Sequence, residues 1–294
     1  MQANNSELKT SLSYLPQVKQ DQILQVVDII KRVANPEKII LFGSYAKGTF
    51  VEHRYKGKDG ILYEYISDYD FLVVTKDNPV QVYELDDKIT TLAEKIQPAL
   101  NVEIHEIDYI NEGLEFGQYF FSDIVREGIL LYDTGSVQFA EPKEITPAEK
   151  KIIAQRYFDI WFPKGCDFLE GVDFYISKGS LKIAAFIAHQ AAESFFYSTL
   201  LVYTEYKPKT HSLKKLRKQS KILSEDLFLL FPIETNKREK HLFDLLKRGY
   251  IDARYRSDYY ITEEEIKEIV EHLKKMQDIV EKICNQRIIS FNSL

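Results

Sequence analysis

Two short patterns place groups that bind phosphate and metal ions close together in the first part of the chain. Gly43 and Ser44 follow an apolar run, and Asp68 and Asp70 alternate at the start of another. Side chains that alternate along a strand share a face, so the two aspartates are predicted to point the same way. Neighbouring carboxylates repel unless a cation lies between them, and a Gly-Ser turn offers backbone N–H groups and a hydroxyl to a phosphate. The patterns therefore predict metal-dependent chemistry on a nucleoside triphosphate.

The composition is that of a globular protein with room for two domains. The chain has 294 residues and no apolar run long enough to cross a bilayer. Its first residues lack the basic start and apolar core of a secretory signal. Cys166 and Cys284 are too few and too far apart for a disulfide framework or a cysteine zinc site. We therefore expect a cytoplasmic protein without a membrane partner, and the net charge of −6 disfavours a surface dedicated to duplex DNA.

The first half of the chain is predicted to mix helices and strands, because helical periods and short apolar runs follow one another. We assign residues 1–135 to this first domain, with an inserted hairpin at about 50–66. Its turn is predicted at Lys58-Asp59-Gly60. The predicted helices cover residues 17–33, 82–96 and 116–128, and the predicted strands cover residues 38–42, 71–74, 102–107 and 129–132.

The second half is predicted to be helical throughout. Residues 136–146 are short and polar and are typical of a linker, so that a helical bundle would span residues 147–294. Its longest apolar helix is predicted over residues 181–203. Pro163 and Gly165 predict a kink or an interruption in the helix before it. Capping sequences open two of the helices, at Thr146-Pro147-Ala148-Glu149 and at Thr262 with Glu265.

The segments LFGSYAKG, SDYDFLVV and NVEIHEI together resemble the polymerase-beta superfamily of nucleotidyltransferases, in the minimal form found in prokaryotes. The resemblance covers roughly residues 20–132. It implies a mixed sheet with flanking helices, and so an α+β fold for this domain. It also implies transfer of a nucleoside monophosphate from ATP or another nucleoside triphosphate to a hydroxyl acceptor, with pyrophosphate as the leaving group. The acceptor would be a small molecule or a protein.

The resemblance also implies a role for each residue of the site. Asp68 and Asp70 would hold one or two Mg²⁺ or Mn²⁺ ions, and Glu103 would either complete a second metal site or act as the base on the acceptor. Glu106 is the rival of Glu103 but faces the other side of the strand, whereas His105 shares the face of Glu103. The implied catalytic and metal-ligating residues are Asp68, Asp70 and Glu103, and the implied nucleotide-binding residues are Gly43, Ser44 and Lys47.

The chain departs from the family pattern between Ser44 and Asp68, where the hairpin makes the gap longer. Long loops near a site often cover it or grip a substrate. In one interpretation, basic side chains of the hairpin contact an anionic acceptor and its tyrosines stack on a base. In the other, it is an edge hairpin whose charges prevent aggregation. The side chains concerned are Arg54, Lys56, Lys58, Tyr55, Tyr63 and Tyr65.

The second half resembles the HEPN domain, an all-α bundle, over roughly residues 147–290. The resemblance rests on AAFIAHQAAESFFYSTLL, KPKTHSLKKL and YIDARYRSDYYITEEE, which include Gln190–Glu193 and His211. It implies frequent association with minimal nucleotidyltransferases and a homodimer formed through the helices. Many HEPN ribonucleases carry an arginine and a histidine four to six residues apart. Arg254 matches, but residues 255–261 contain no histidine, so that Arg254 and Tyr255 are expected to bind rather than catalyse.

Other charged and histidine side chains of the second half receive an ordinary structural interpretation. The basic run over residues 207–221 and the arginines near residue 254 are predicted to be mostly solvated helix faces, and RNA is not the favoured partner. Two alternatives to nucleotidyl transfer stay open. One is a non-catalytic nucleotide-binding module of the toxin–antitoxin type, and the other, less favoured, is a ribonuclease controlled in cis. His189, His211 and His241 are predicted to be packed rather than catalytic.

Overall fold

The computed structural model describes residues 8–56, 62–208 and 210–292. The chain divides into two compact units. The first contains Met1–Glu52 and Ile66–Glu144, and the second contains His53–Tyr65 and Ile145–Leu294. The predicted turn at Lys58-Asp59-Gly60, the side chain of Tyr63 and Lys209 lie outside the described residues.

The first unit contains one sheet and its surrounding helices, as the sequence predicts. In chain order, the elements up to the linker are α1 (Gln17–Ala34), β1 (Lys38–Phe42), α2 (Gly43–Lys47), β2 (Glu52–Lys56), β3 (Leu62–Ile66), β4 (Tyr69–Thr75), α3 (Val82–Leu92), β5 (Leu100–Glu106), α4 (Ile107–Phe116), α5 (Tyr119–Glu127) and β6 (Ile129–Asp133). Four of the strands form a mixed sheet in the order β5-β4-β1-β6. Strand β4 runs antiparallel to β1 and parallel to β5.

Each face of this sheet is covered by its own apolar core. Alternate residues of β1 and β4 enter opposite cores, as the strand period requires. Burial of both faces explains why these strands have nearly continuous apolar sequences. The α1 side buries Ile39, Leu41, Phe71 and Val73, and the α4 side buries Ile40, Leu72 and Val74.

Three boundaries in the first unit differ from the sequence prediction. The helix predicted over residues 116–128 is α5, which begins only at Tyr119. Gly117 adopts φ 81° and ends α4, a helix that the sequence prediction does not include. This left-handed conformation favours glycine and ends the helix. Helix α3 stops at Leu92, before the predicted residue 96. Asp68 directly precedes β4 rather than lying within it.

The second unit is a helical bundle. Its elements are α6 (Pro147–Ser177), α7 (Leu181–Thr204), α8 (Leu213–Ser220), α9 (Glu225–Leu229), α10 (Lys237–Arg248), α11 (Asp252–Tyr255) and α12 (Glu263–Ser290). Helix α7 is buried on almost every side, which explains its Ala-rich and aromatic sequence. The helix start predicted at Thr146 and the capping box predicted at Thr262 are both confirmed, and Thr146 also forms a capping box, with Glu149. No described helix is long and apolar enough to cross a membrane.

Helix α6 contains Pro163 and Gly165 without an interruption, so the predicted interruption is wrong, and the alternative of a kink stays a prediction. Packing against the bundle stabilises the helix more than one missing hydrogen bond destabilises it. Gly165 has a packing role, since a Cβ atom there would lie 2.6 Å from Cε1 of Phe195 in α7. The glycine therefore permits a close approach of α6 and α7.

The inserted hairpin β2–β3 packs within the second unit although it interrupts the sequence of the first. Tyr65 donates a 2.7 Å hydrogen bond to the carbonyl of Lys221, and its ring lies 5.9 Å from that of Phe228. The hydroxyl of Thr235 donates to the carbonyl of Leu62. Arg54 forms a cross-strand ion pair with Glu64. Whether the hairpin selects the acceptor stays a prediction.

Candidate active site

Strand pairing brings the Gly-Ser turn beside the first carboxylates. Phe42, the last residue of β1, lies opposite Asp70 because β1 and β4 are antiparallel. Gly43 and Ser44 therefore begin α2 at the end of β4 that carries Asp68. Gly43 has φ 72°, a left-handed conformation that other residues adopt only at a cost. The glycine is thus required by the turn itself.

Asp70 and Glu103 lie on one face of the sheet. In the parallel pair, Asp70 is opposite Asn101 and Leu72 is opposite Glu103. Opposed residues of neighbouring strands share a face, and positions two apart share it as well. Asp68, Asp70 and Glu103 are only 8%, 6% and 3% exposed, which concentrates carboxylates in a part of the molecule with little water. Asn101 donates a 3.0 Å hydrogen bond from Nδ2 to Oδ1 of Asp70.

Glu103 and Glu106, the two candidates for the third acidic residue of the site, have different surroundings. Nε2 of His105 lies 3.4 Å from Oε2 of Glu103. The His105 ring stacks on Tyr109 with a centroid distance of 5.2 Å and meets the edge of Phe121. Glu106 instead accepts a 2.9 Å hydrogen bond from the hydroxyl of Thr75. Glu106 therefore has a structural contact at the far end of the two strands, away from Asp70.

The remaining predicted nucleotide-binding residues have different environments. Ser44 is half-buried, and its hydroxyl has no hydrogen-bond partner among the described residues. It is available to a phosphate oxygen. Lys47 is exposed, and its ammonium lies 2.5 Å from a carboxylate oxygen of Glu127 in α5. The phosphate contact of Lys47 stays a prediction.

Tyr45 is a residue of this region that the motifs do not indicate. It is fully buried in α2, where its ring stacks on Phe50 and lies tilted against Tyr69, each at a centroid distance of 4.5 Å. Its hydroxyl has no hydrogen-bond partner in the described part of the chain. Burial raises its pKa, and the charges of Glu52 and Asp68 raise it further. Tyr45 therefore stays neutral at ordinary pH, as a buried hydroxyl in the electrostatic field of Asp68.

The carboxylate oxygens of Asp68 and Asp70 are ligands of the kind that Mg²⁺ prefers. Carboxylate oxygens are hard ligands, and burying two of them near each other is favourable when a cation shares their charge. Within residues 8–56, 62–208 and 210–292, no three His, Cys, Asp or Glu side chains are grouped so as to hold a metal ion. Magnesium commonly binds to one or two carboxylates and completes its shell with water and substrate phosphates. Asp68 and Asp70 match that smaller requirement.

In the second unit, Arg254 and Tyr255 lie in the short helix α11. Both are exposed, Tyr255 to 75%. The guanidinium of Arg254 lies 4.7 Å from the ring centre of Tyr250 and 4.9 Å from that of Tyr255. Nε of Arg254 donates a 2.5 Å hydrogen bond to the carbonyl of Tyr250. The pair is thus held on an aromatic surface with its guanidinium accessible.

The predicted solvated basic run contains one buried exception. Arg217 is 3% exposed and donates through both Nη atoms to Glu234, at 2.8 and 2.9 Å. Its guanidinium also stacks on Phe228 at 3.8 Å. The prediction of a solvated side chain is therefore wrong for Arg217. Phe228 of α9 and Glu234, which follows α9, cover this side chain.

Comparison with known families identifies both halves of the chain. The model of the polymerase beta nucleotidyltransferase family matches residues 25–136, and the HEPN domain model matches residues 158–283. The sheet and its carboxylates therefore belong to a nucleotidyltransferase-type domain. The chain as a whole is a fusion of a polymerase-beta nucleotidyltransferase domain with a HEPN domain, as its motifs predict. No curated protein matches it.

Proposed function

We propose that this protein is a magnesium-dependent nucleotidyltransferase that moves a nucleoside monophosphate from a nucleoside triphosphate to a hydroxyl acceptor. The observation that carries the proposal is the placement of the Gly43-Ser44 turn beside buried Asp70 through the pairing of β1 with β4. A phosphate-binding turn next to paired carboxylates suits a substrate that carries both phosphate and a divalent cation. The family match to residues 25–136 supports this class of reaction.

Each residue has a proposed part in the reaction. Asp68 and Asp70 hold magnesium, which when bound neutralises the triphosphate and polarises the α-phosphorus. The Gly43 backbone and the Ser44 hydroxyl hold the terminal phosphates, so that the leaving pyrophosphate stays aligned. Asn101 fixes the Asp70 carboxylate through its 3.0 Å hydrogen bond.

Glu103 is the proposed acceptor for the proton of the attacking hydroxyl. It lies on the face of Asp70, two positions further along β5 than Asn101. His105, with Nε2 3.4 Å from the carboxylate, holds Glu103 in place and offers a route for the proton to leave. The bond formed joins the acceptor oxygen to the α-phosphorus, and the bond broken releases pyrophosphate.

The test is pyrophosphate release by the full chain with Mg²⁺, each nucleoside triphosphate in turn and a panel of hydroxyl acceptors. We expect acceptor-dependent release from the wild type and its loss in Asp70→Asn. Asp87→Asn is the matched control, because Asp87 is an exposed aspartate of α3 in the same unit. Equal release by wild type and Asp70→Asn would contradict the proposal.

A second candidate is a regulatory module that binds nucleotide without turnover. It is favoured by the engagement of Asp70 with Asn101 and of Glu103 with His105, since such contacts also stabilise a fixed binding site. The two candidates differ in one result. A binding module retains Mg²⁺-dependent nucleotide binding, which calorimetry measures, while no acceptor supports pyrophosphate release.

A further inference from the structure

Tyr45 carries a buried hydroxyl beside the candidate site, and the proposed reaction gives this hydroxyl no role. The side chain is 0% exposed, and the hydroxyl has no hydrogen-bond partner in the part of the chain that the structure describes. A buried polar group without a partner destabilises a folded protein, and the large majority of such groups are paired. The groups around Tyr45 restrict which partner its hydroxyl can acquire.

The position of the Tyr45 ring is fixed by its neighbours. The ring stacks on Phe50 with an interplanar angle of 6° and packs against Tyr69, each at a centroid distance of 4.5 Å. The backbone is held as well, because the Tyr14 hydroxyl donates a 2.5 Å hydrogen bond to the Tyr45 carbonyl. The hydroxyl therefore cannot move far to find a partner, so a partner has to approach it.

Two polar neighbours of Tyr45 are already engaged with side chains of α1. The Tyr69 hydroxyl donates a 2.8 Å hydrogen bond to Oε1 of Gln22. The Glu52 carboxylate lies 2.7 Å from Nζ of Lys19, with which it forms an ion pair. Neither contact involves the Tyr45 hydroxyl.

Asp68 is the remaining acidic neighbour, and its charge raises the pKa of Tyr45. Asp68 directly precedes Tyr69, so the chain holds it next to the ring that contacts Tyr45. The pairing of β4 with β5 begins at Tyr69, and the strand ladder therefore does not fix Asp68. Because a carboxylate has two oxygens, one can bind a cation while the other accepts a hydrogen bond.

We infer that Tyr45 is a positioning residue of the nucleotide site, whose hydroxyl donates to the Asp68 carboxylate when magnesium and the triphosphate bind. The inference rests on the proposed function, in which Asp68 is a metal ligand. Tyr45 then orients Asp68 in the way that Asn101 orients Asp70, through a neutral donor. Without ligand the hydroxyl is unpaired, and this lowers the stability of the free protein.

The test compares Tyr45→Phe with Tyr69→Phe, because each removes one hydroxyl from a pair of neighbouring buried rings. Mg²⁺ binding to the full chain is measured by calorimetry with the α,β-methylene analogue of each nucleoside triphosphate, which cannot release pyrophosphate. We expect Tyr45→Phe to weaken Mg²⁺ binding by about tenfold. Tyr69→Phe should change it less than about twofold, because the Tyr69 hydroxyl bonds to Gln22 instead.

A second readout is the melting temperature of the free protein in EDTA. Tyr69→Phe should lower it, because Gln22 loses its donor. Tyr45→Phe should raise it or leave it unchanged, because the variant lacks only an unpaired hydroxyl. A purely structural role for the Tyr45 hydroxyl, such as a bond to a buried water, has the opposite signature. The melting temperature of Tyr45→Phe would then fall while its Mg²⁺ binding stayed normal.

The outcomes separate this inference from the proposed function. If wild type and Tyr45→Phe bind Mg²⁺ and the analogue equally well, the inference is overturned while the proposed function stands. Equal weakening of Mg²⁺ binding in the two variants, or a lower melting temperature of Tyr45→Phe in EDTA, would also overturn the inference. Absence of binding by the wild type would contradict the proposed function and the inference with it.

Discussion

Asn101 donates a hydrogen bond from Nδ2 to Oδ1 of Asp70, at 3.0 Å, between two buried side chains of adjacent parallel strands. The bond restricts the orientation of the Asp70 carboxylate. It also links β5, which carries Glu103, to the strand that carries Asp70. The two strands are thus joined at the level of the proposed metal site.

Replacement of Asn101 tests this orienting role. Asn101→Leu keeps the approximate volume and removes the donor, so Asp70 loses a charge-assisted hydrogen bond worth about 1.5–3 kcal/mol. We expect the half-saturating Mg²⁺ concentration to rise by about tenfold, with the fold intact by circular dichroism. Asn285→Leu, at an exposed position of helix α12, is the control. An unchanged Mg²⁺ requirement would show that Asp70 is positioned without Asn101.

His105 is predicted to act through Glu103 rather than on substrate. His105→Phe retains the ring contacts with Tyr109 and Phe121 but removes Nε2, which lies 3.4 Å from Glu103. We expect kcat to fall by about tenfold or more while KM for the triphosphate changes little. The pH–rate profile should also move, because the proton acceptor loses its neighbour. A variant with normal kcat and an unchanged profile would remove His105 from the reaction.

Arg217 is predicted to stabilise the helical unit. Arg217→Met removes the bidentate hydrogen bonds to Glu234 and the stacking on Phe228. Because Glu234 is itself 40% exposed and water can replace its lost partner, we expect a cost of about 1–3 kcal/mol. The measurement is the free energy of unfolding from urea titration. Lys214→Met, at an exposed position of the same helix, should stay within about 0.5 kcal/mol of the wild type. Equal stabilities of the two variants would contradict the buried role.

His272 should make stability depend on pH. Burial lowers its pKa, but the Glu239 carboxylate 3.0 Å away and the Glu268 carbonyl together raise the pKa above its ordinary value. The charged form is therefore favoured in the folded state. Its stabilising contribution is complete below the unfolded pKa of about 6.5 and is lost as pH rises through the folded value.

The difference in unfolding free energy between wild type and His272→Gln should accordingly shrink from pH 6 to about pH 9. His189 gives the opposite sign, because burial lowers its pKa. Its contribution is present above about pH 6.5 and is lost as pH falls. Parallel pH dependence for His272→Gln and His189→Gln would show that the Glu239 contact does not control His272.

The sequence predicts those parts of the candidate site that follow from residues close together in the chain. Gly43-Ser44 and the alternating Asp68 and Asp70 are recognisable because a turn and a strand period are local properties. The contact of Asn101 with Asp70 is harder to predict from the sequence. It alternates with Glu103 and His105 along one polar face of β5, but its bond to Asp70 follows only from the register of β4 with β5.

Features that depend on tertiary packing are not visible in the chain. Tyr45 becomes a buried neighbour of Asp68 only after α2 folds against the sheet. His211 does not satisfy the motif by spacing from Arg254, yet both contact Tyr250 once α10 ends against α7. The continuous helix through Pro163 likewise reflects packing on α7, which a local helix-breaking rule does not include.

The central claim is that the chain transfers a nucleoside monophosphate at the site that contains Asp70. Following the α- and γ-phosphates of the triphosphate separately tests it most directly. The full chain is incubated with Mg²⁺, a reactive acceptor and triphosphate labelled in parallel at the α or the γ position. The account predicts that α-label joins the acceptor while γ-label leaves as pyrophosphate, and that Asp70→Asn abolishes both outcomes but Asp87→Asn neither. Transfer of the γ-label to the acceptor, or α-label transfer that persists in Asp70→Asn, would contradict it.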